Sequence, residues 1–226
     1  MKKYFITGTN TDIGKTVVTA GIALASLRNS QKTIVMKPVQ TGTDDYPTDI
    51  QTIETLIEEK ISNELSIPYA FKMPASPHLA AKKENKSIDV SKILDSYNEL
   101  QKMDIDTLLV EGAGGLLVPI TEDYLMIDLI KDMDISVILV TTTLLGTINH
   151  TLLSIEAMKS RGIDIAGIII NKTSQNPSEI ELDNIRIIKK LSKVKILAEI
   201  KDFSDQKNFE KELSNSFNKL FLKLND

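Results

Sequence analysis

Residues 8–16 read GTNTDIGKT and stand directly behind the short apolar run YFIT. A glycine, five further residues and then Gly-Lys-Thr resemble the pattern of a loop that wraps a phosphate chain, with one residue more than the four of the standard spacing. In such a loop, backbone N–H groups and the N-terminus of the following helix face the anion. An apolar strand before the loop and a helix that opens at Thr16 are the context that the pattern requires. These residues therefore predict a nucleotide-binding phosphate loop.

Side chains in and near this loop are candidate ligands of a nucleotide and a metal ion. Lys15 would bridge the outer phosphates, and the Thr16 hydroxyl would hold Mg²⁺. Mg²⁺ takes oxygen ligands in octahedral geometry and keeps several waters. Glu111 follows the apolar run in DTLLVEG, where an acidic ligand is expected to end a neighbouring strand. The pattern favours Glu111 as a magnesium ligand over a surface carboxylate.

Two further residues, Lys37 and Asp49, have roles that depend on their surroundings. Lys37 ends the apolar run TIVMK. A lysine at the end of a buried strand needs an anion or must lose its proton. A transferred phosphate or a substrate carboxylate would supply the anion, and the alternative is a lysine that leans out into solvent. Asp49 lies in the acidic stretch DDYPTDI, where Asp44 and Asp45 compete for the role of a second metal ligand and a solvated loop is an equal alternative.

Six apolar runs rich in β-branched residues recur along the chain: YFIT, TIVMK, DTLLVEG, ISVILVT, IDIAGIIIN and VKILAEI. Between most of them lie stretches with helical spacing, at residues 16–28, 88–102, 149–160 and 179–191. Continuous apolar runs are typical of strands covered on both faces. Alternation of strand and helix predicts a parallel sheet with right-handed crossovers. We therefore expect an α/β fold with a mostly parallel central sheet flanked by helices, in one domain over residues 1–226.

Two local patterns add to this outline. Ser76 and Pro77 form a plausible cap and first-turn pair of a helix. Near the end of the chain, apolar residues at helical spacing form a stripe that we expect to close the core, with docking on a membrane as the alternative. The stripe consists of Phe209, Leu213, Phe217, Leu220 and Leu224.

Polar residues follow the predicted strands. In an open parallel sheet, ligands gather outside the carboxyl ends of the strands. The residues predicted there are the phosphate loop, Lys37 with PVQTG, Glu111 with GAGG, the loop TTTLLGTINH, Asn171 with Lys172, and Glu199. We expect the chemistry of the chain to collect along this one edge.

Composition excludes several classes of function. With 27 basic and 31 acidic side chains among 226 residues, the formal charge of −4 gives no general attraction to nucleic acid or acidic membranes. The chain has no cysteine, which excludes disulfides, thiolate catalysis and thiolate metal sites. The first apolar run is too short for a signal peptide, and no run approaches the roughly 20 apolar residues that span a bilayer. We expect a soluble, cytoplasmic protein.

Six segments of the chain, GTNTDIGKT, KPVQTG, SPHLAA, VEGAGGLLVPI, LGTINHTLL and AGIIIN, occur in the same order as in the dethiobiotin synthetase family, which the chain resembles. A phosphate loop alone is shared with many ATPases, whereas the combination of KPVQTG, EGAGG and LGTINH in this order is much more specific to one family. The resemblance implies a homodimer with a three-layer, P-loop NTPase-like fold. It also implies a ligase that uses ATP, Mg²⁺ and CO₂ to close a ureido ring on 7,8-diaminopelargonic acid in biotin biosynthesis.

The resemblance assigns roles to individual residues. The metal ligands would be Thr16, Asp49 and Glu111. The nucleotide and its metal would contact Asp12, Ile13, Gly14, Lys15, Thr16, Val17, Asp49, Glu111, Gly112, Ala113 and Gly114, with Asn171, Lys172, Lys201 and Asp202 on the adenine side. The catalytic residues would be Lys37, Lys15 and Thr11. The substrate would contact Lys37 and Thr41 and, across the dimer interface, the amides of Gly146, Thr147, Ile148 and Asn149.

The main alternative is a partitioning or positioning ATPase, a switch protein on a similar fold. The corresponding loops read Lys-Gly-Gly-x-Gly-Lys-Thr, with an extra lysine that crosses to the partner's nucleotide. Asn10 stands at that place here, which favours the synthetase. A fragment of a cobyrinic-acid-type amidotransferase would need a glutaminase domain with a nucleophilic cysteine, and the chain has no cysteine.

Overall fold

A computed structural model describes residues 1–43, 48–202 and Phe217 of the chain. The strands are β1 (Lys2–Gly8), β2 (Thr33–Met36), β3 (Val39–Thr41), β4 (Tyr69–Phe71), β5 (Thr107–Gly115), β6 (Ser136–Thr141), β7 (Ile165–Thr173) and β8 (Ile196–Lys201). The helices are α1 (Lys15–Arg28), α2 (Thr48–Ile57), α3 (Pro77–Lys83), α4 (Val90–Lys102), α5 (Met126–Asp132), α6 (Thr147–Ser160) and α7 (Glu179–Ser192).

Six strands form one sheet in the order β2-β5-β1-β6-β7-β8, and all neighbours in it are parallel. β1 lies inside the sheet, where Ile6 pairs with Glu111 of β5 and Gly8 pairs with Val140 of β6. The phosphate loop therefore begins between the carboxyl ends of β5 and β6. The predicted α/β fold with a mostly parallel central sheet is confirmed.

The sheet is buried on both faces because successive side chains of a strand point to opposite sides. In β1, Phe5 joins one apolar cluster and Ile6 joins the other. The first cluster includes Ile93 of α4, Ile127 of α5, Ile155 of α6 and Ile188 of α7, and the second includes Ile22 of α1 and Ile53 of α2. Each such buried side chain contributes about 1.5–3 kcal/mol. The helices thus cover the sheet on both faces, which is the predicted three-layer arrangement.

A second, two-stranded parallel sheet pairs β3 with β4. It was not predicted, because three-residue strands are too short to show a period. It follows β2 directly in the chain, and the main-chain N–H of Lys37, between β2 and β3, donates to the carbonyl of Ser66 at 2.7 Å. The small sheet places Gln40 and Thr41 beside the phosphate loop rather than in the main sheet.

The four predicted helices correspond to α1, α4, α6 and α7, with starts that shift by up to two residues. α2 and α5 were not predicted. Asp49 lies in the first turn of α2, so its assignment to a loop was wrong, whereas Asp44 and Asp45 lie outside the described residues. Ser76 does precede α3 and Pro77 does open it, but the Ser76 side chain makes no capping hydrogen bond.

Several strands run further than their apolar patterns indicate. Glu111, Asn171 and Glu199 lie within β5, β7 and β8 rather than after them. Parallel pairing continues through these polar positions because the backbone hydrogen bonds do not depend on the side chain. None of the helices in the described part of the chain has the length and apolar character needed to cross a membrane.

One residue of the C-terminal stripe, Phe217, is buried against α1 and belongs to its apolar cluster. A Cβ atom added to Gly21 of α1 would lie 2.4 Å from the Phe217 ring, so glycine makes room for the aromatic side chain. The burial of Phe217 agrees with the interpretation that the stripe closes the core. The remaining members, Phe209, Leu213, Leu220 and Leu224, lie outside the described residues.

Candidate nucleotide and metal site

The phosphate loop connects β1 to α1 and turns into the helix at Gly14. Gly14 has φ 89°, a left-handed conformation that glycine adopts without steric cost. A Cβ at this position would lie 2.0 Å from Nδ2 of Asn171, so only glycine fits. Earlier in the loop, Oδ1 of Asn10 accepts a hydrogen bond from the main-chain N–H of Thr11 at 2.8 Å. No side chain caps the start of α1, so its first main-chain N–H groups are available to an anion.

Lys15, the first residue of α1, is 7% exposed, and its Nζ donates to the carbonyl of Asn10 at 3.0 Å. Burial lowers its pKa to about 8, and the neighbouring charge of Lys37 adds to the shift. Among the residues that the structure describes, Lys15 has no ion-pair partner. A phosphate chain in the loop would supply the missing negative charge.

Lys37 has two carboxylate partners. Its Nζ lies 2.8 Å from Oε1 of Glu111 and 2.5 Å from Oδ2 of Asp49, and it also donates to the carbonyl of Gly112 at 3.2 Å. Lys37 is 3% exposed and Glu111 is fully buried. Burial opposes the charge of Lys37, but the carboxylates of Glu111 and then Asp49 outweigh it, so the pKa of Lys37 is raised. The interpretation of Lys37 as a solvated lysine was therefore wrong, and its anions come from the chain itself.

Thr16 completes what we call the ion cluster, namely Thr16, Lys37, Asp49 and Glu111. The Thr16 hydroxyl donates to Oε1 of Glu111 at 3.0 Å. The other oxygen, Oε2, is buried without a hydrogen-bond partner in the described structure. A buried oxygen that lacks a donor costs free energy, which a cation ligand would offset.

These groups fit Mg²⁺. The ion prefers oxygen ligands and usually binds through one or two carboxylates, substrate phosphates and water. No group of three or more His, Asp or Glu residues forms a metal-binding cluster in the described ranges. A hydroxyl with two carboxylates beside a phosphate loop is accordingly the donor set expected for Mg²⁺, rather than for zinc.

The ion cluster lies in a cleft of about 860 Å³, within the usual range for small-molecule sites. The predicted residues that line it are Thr11, Asp12, Gly14, Lys15, Thr16, Val17, Lys37, Thr41, Asp49, Glu111, Ala113, Gly114 and Lys172. The cleft is also lined by residues that were not predicted to contact a ligand, namely Gln40, Gly42, Pro74, Ala75, Ser76, Pro77 and Val118. Five of these residues lie in the segments KPVQTG, SPHLAA and VEGAGGLLVPI, whose resemblance to a known family was the available signal.

The residues assigned to the adenine side divide into two groups. Asn171 Nδ2 donates to the carbonyl of Ile13 at 2.8 Å, and Lys172 Nζ donates to the carbonyl of Asp12 at 2.6 Å, so the end of β7 is tied to the phosphate loop. Lys201 Nζ instead donates to the carbonyl of Ser174 at 2.9 Å. The main-chain N–H of Asp202 donates to the carbonyl of Thr173 at 2.8 Å. Lys201 and Asp202 do not line the cleft.

The segment 146–149 opens α6 and does not line the cleft of its own chain. Gly146 precedes the helix with φ 91°. Just before it, Leu144 and Leu145 are 68% and 93% exposed. The loop thus presents apolar side chains outward at one end of α6, while the ion cluster lies elsewhere.

A chain of three threonine hydroxyls fixes the base of this segment. Thr147 donates to the carbonyl of Thr142 at 2.7 Å, which uses its only proton. The 2.9 Å contact with Thr141 must then be a donation from Thr141, and the 2.7 Å contact of Thr141 with Thr151 a donation from Thr151. Each of the three hydroxyls therefore donates one hydrogen bond in a defined direction. These bonds hold the start of α6 without any charged group.

Comparisons with known proteins agree with this geometry. The family described as "AAA domain" matches residues 2–208. The ATP-dependent dethiobiotin synthetase BioD of Bacillus subtilis strain 168 is 38% identical over 199 residues, covering 87% of this chain and 86% of that protein. The protein of the same name from Caldicellulosiruptor saccharolyticus is 37% identical over 233 residues, covering 98% and 94%.

Solved structures show the fold. The MinC:MinD cell division protein complex of Aquifex aeolicus has a TM-score of 0.67 at 15% identity, covering 99% of this chain and 95% of that chain. A ParA family ATPase from Chlorobium tepidum has a TM-score of 0.59 at 16% identity, covering 98% of both. Such identities establish a P-loop ATPase fold and nothing narrower. From the similarity to the synthetases over most of its length, the chain belongs to the ATP-dependent dethiobiotin synthetase family.

Proposed function

We propose that this chain is an ATP- and Mg²⁺-dependent ligase that closes the ureido ring of dethiobiotin from 7,8-diaminopelargonic acid and CO₂, a step of biotin biosynthesis. The observation that carries the proposal is the buried ammonium of Lys37 beside the phosphate loop, in a chain that belongs to this family. A reaction that consumes ATP also fits the cytoplasm, where ATP is made.

The reaction needs three steps. One substrate amine attacks CO₂, a C–N bond forms, and the nitrogen loses a proton to give a carbamate. A carbamate oxygen then attacks the γ-phosphorus of ATP and displaces ADP, which gives a carbamic-phosphoric anhydride. The second amine attacks the carbonyl carbon, a second C–N bond forms, that nitrogen loses a proton, and inorganic phosphate leaves with the electron pair of the C–O bond. The protein does little covalent chemistry, so its work is alignment and charge stabilisation.

The residues of the cleft suit that work. Lys15 would hold the outer phosphates in the ground state and as negative charge moves to the leaving oxygen. Lys37 would pair with the oxygens of the carbamate or the transferred phosphoryl group, for which it must leave at least one of its two carboxylates. Thr16, Asp49 and Glu111 would hold Mg²⁺, which when bound neutralises charge on the phosphates. Thr41 and Thr11 line the same cleft, which supports a contact of each with the substrate.

We also propose a homodimer in which residues 146–149 of one subunit complete the substrate site of the other. Two observations support it: these residues do not line the cleft of their own chain, and the adjoining Leu144 and Leu145 are exposed. Large exposed apolar patches mark interaction surfaces. The main-chain N–H of Thr147 donates to the carbonyl of Leu144 at 3.0 Å, so the other first amides of α6 would bind the substrate carboxylate.

The test is ATP turnover with and without diaminopelargonate and bicarbonate. Phosphate release should be slow with ATP alone and rise sharply only when both co-substrates are present, and mass spectrometry should detect the ring product. A substrate analogue with one amine removed is the matched control, since it forms a carbamate but no ring. Equal turnover without the diamine would contradict the proposal and favour a switch ATPase.

A further inference from the structure

The side chain of Glu181, in the first turn of α7, collects hydrogen bonds from three segments of the chain. Its Oε1 accepts from the hydroxyl of Thr143 at 3.0 Å, from the hydroxyl of Ser174 at 2.7 Å and from the main-chain N–H of Ser174 at 3.3 Å. Its Oε2 accepts from the main-chain N–H and the hydroxyl of Ser178 at 3.0 and 3.1 Å. One carboxylate thus joins the loop before α6, the end of β7 and the start of α7.

Only part of this arrangement is needed to cap the helix. Ser178 and Glu181 form a capping box, in which each side chain accepts a hydrogen bond from the other residue's main-chain N–H. The bonds from Thr143 and Ser174 are additional and all fall on Oε1. The hydrogen bonds of Ser178 and then Ser174 lower the pKa of Glu181 to about 2. The group is therefore ionised at neutral pH and free to accept all five bonds.

Both joined segments adjoin residues of the proposed site. Thr143 is buried, and its carbonyl also accepts from Nδ2 of Asn184 of α7 at 2.8 Å, so α7 holds the loop that leads to Gly146 at two points. Ser174 directly follows β7, whose residue Asn171 is bonded to the phosphate loop. One path of contacts from the phosphate loop to the loop before α6 thus runs through Glu181, beside the direct bond of the Thr9 main-chain N–H to the carbonyl of Val140 at the end of β6.

We propose that Glu181 is a positioning residue that fixes the substrate-carboxylate loop, residues 143–149, relative to the nucleotide side of the site through Oε1. The functional part of this inference rests on the proposed function for what the two segments bind. The Glu181 side chain is not among the residues that line the cleft, so it acts through Thr143 and Ser174 rather than on a ligand.

Four variants separate this role from capping. Glu181→Ala removes all five bonds. Glu181→Gln keeps an acceptor oxygen for Thr143 and Ser174 but loses the acceptor that faces Ser178. Ser178→Ala weakens the cap and leaves Oε1 untouched. Glu179→Ala, in the same helical turn, is the matched control, because none of the hydrogen bonds and ion pairs found in the described structure involves the Glu179 side chain.

In each variant, the change in KM for the diamine is compared with the change in kcat and with the change in KM for ATP. Glu181→Ala should raise KM for the diamine by about three- to tenfold, the scale of coupling through a positioning network. Thr143→Val should raise it similarly with KM for ATP unchanged, and should add nothing in the Glu181→Ala background. Glu181→Gln should keep KM for the diamine near the unsubstituted value. Its melting temperature should nevertheless be lower, as should that of Ser178→Ala. A rise in KM that is equal in Ser178→Ala and Glu181→Ala would reduce Glu181 to a cap and overturn the proposal.

A second measurement does not depend on activity. Hydrogen–deuterium exchange of the peptides that contain residues 143–149 and 173–175 should accelerate together in Glu181→Ala and stay at the unsubstituted rate in Ser178→Ala and Glu179→Ala. Unchanged exchange at 143–149 in Glu181→Ala would overturn the positioning role. If the unsubstituted protein shows no diamine-dependent turnover but the exchange result holds, the proposed function fails while the structural link stands.

Discussion

The N-termini of α1 and α6 share the same backbone arrangement but differ in the side chains around them. Each helix follows a strand of the central sheet, β1 or β6, and these strands are neighbours. Each begins after a glycine in the left-handed conformation, Gly14 at φ 89° and Gly146 at φ 91°. Around Gly14 the structure is tight, with Asn171 in contact, whereas the nearest atom to a Cβ at Gly146 would be His150 Cε1 at 3.7 Å.

The chemistry beyond the two glycines differs as well. α1 opens with Lys15 and lies beside the ion cluster, so its end of the cleft combines amides with full positive charges. α6 opens with Thr147, and neutral hydroxyls hold its base. A phosphate chain carries several charges and matches the first end, while a single carboxylate needs little more than the amides of the second. In the proposed site, the same backbone arrangement would therefore bind two anions of different charge.

The largest effect is expected from substitutions that remove the positive charges near the start of α1. Lys15→Ala and Lys37→Ala should each lower kcat by about 10²–10³, the usual scale for losing one preorganised charge donor. Only Lys15→Ala should also weaken ATP binding, because that lysine contacts phosphates in the ground state. Steady-state kinetics and calorimetry measure the two effects, with the exposed Lys102→Ala as a control. Normal ATP affinity in Lys15→Ala, with lost affinity in Lys37→Ala, would reverse the two roles.

A second prediction compares the two glycines directly. Alanine at either position must adopt a left-handed conformation, which costs about 1–2 kcal/mol of unfolding free energy. Gly14→Ala must also displace Asn171, so ATP affinity should fall by about tenfold or more, since 1.4 kcal/mol is tenfold. Gly146→Ala should leave ATP affinity unchanged. Denaturant unfolding and calorimetry test both, and an equal loss of ATP affinity in the two variants would show that the ends are not independent.

The third prediction asks whether the α1 and α6 ends of one site come from different chains. A chain with Lys15→Ala and a chain with Gly146→Asp should each be inactive alone. After unfolding and remixing in equal amounts, half of the dimers are mixed, and each has one intact site of two. Activity should return to about a quarter of the unsubstituted level. No recovery despite mixed dimers, verified by native mass spectrometry, would mean that each chain builds its site alone.

The smallest effect concerns the pH dependence of the support beneath α6. The pKa of Glu181 is about 2 in the folded chain, below its ordinary value of 4.5. Its stabilisation is therefore complete above pH 4.5 and is lost as the pH falls toward 2. The difference in unfolding free energy between the unsubstituted chain and Glu181→Gln should be constant from pH 5 to 8 and shrink below 4.5. Urea unfolding across this range checks it, and a difference that changes between pH 6 and 8 would point to another titrating group.

The central sheet and the phosphate loop were predictable because their signals are local. The six apolar runs are continuous, and strands buried on both faces allow no polar break, so the runs mark the strands. The loop pattern fixes its own strand and helix within nine residues. β3 and β4 were not predicted because strands of three residues are too short to show a period, whereas α2 was missed although Ile50, Ile53 and Ile57 stand at helical spacing in it.

The partners of Lys37 show the same limit within the site. Its burial beside the loop was predictable from TIVMK, and so was its need for an anion. Glu111, its buried partner, lies 74 residues further on, and no spacing rule connects the two positions. The role of Glu181 is similar: Ser178-x-x-Glu181 is visible as a capping box, but the bond from Thr143 arises only when α6 and α7 are adjacent.

The threonine chain beneath α6 has a consequence for ionic strength. Its three hydroxyls carry no charge, so salt that screens exposed ion pairs, with a Debye length of about 3 Å at 1 M, leaves it intact. Attraction of a carboxylate to the amides above it does weaken with salt. The dependence of the diamine KM on salt concentration should therefore report the attraction of the anion alone, because the hydrogen bonds that hold the start of α6 do not change with ionic strength.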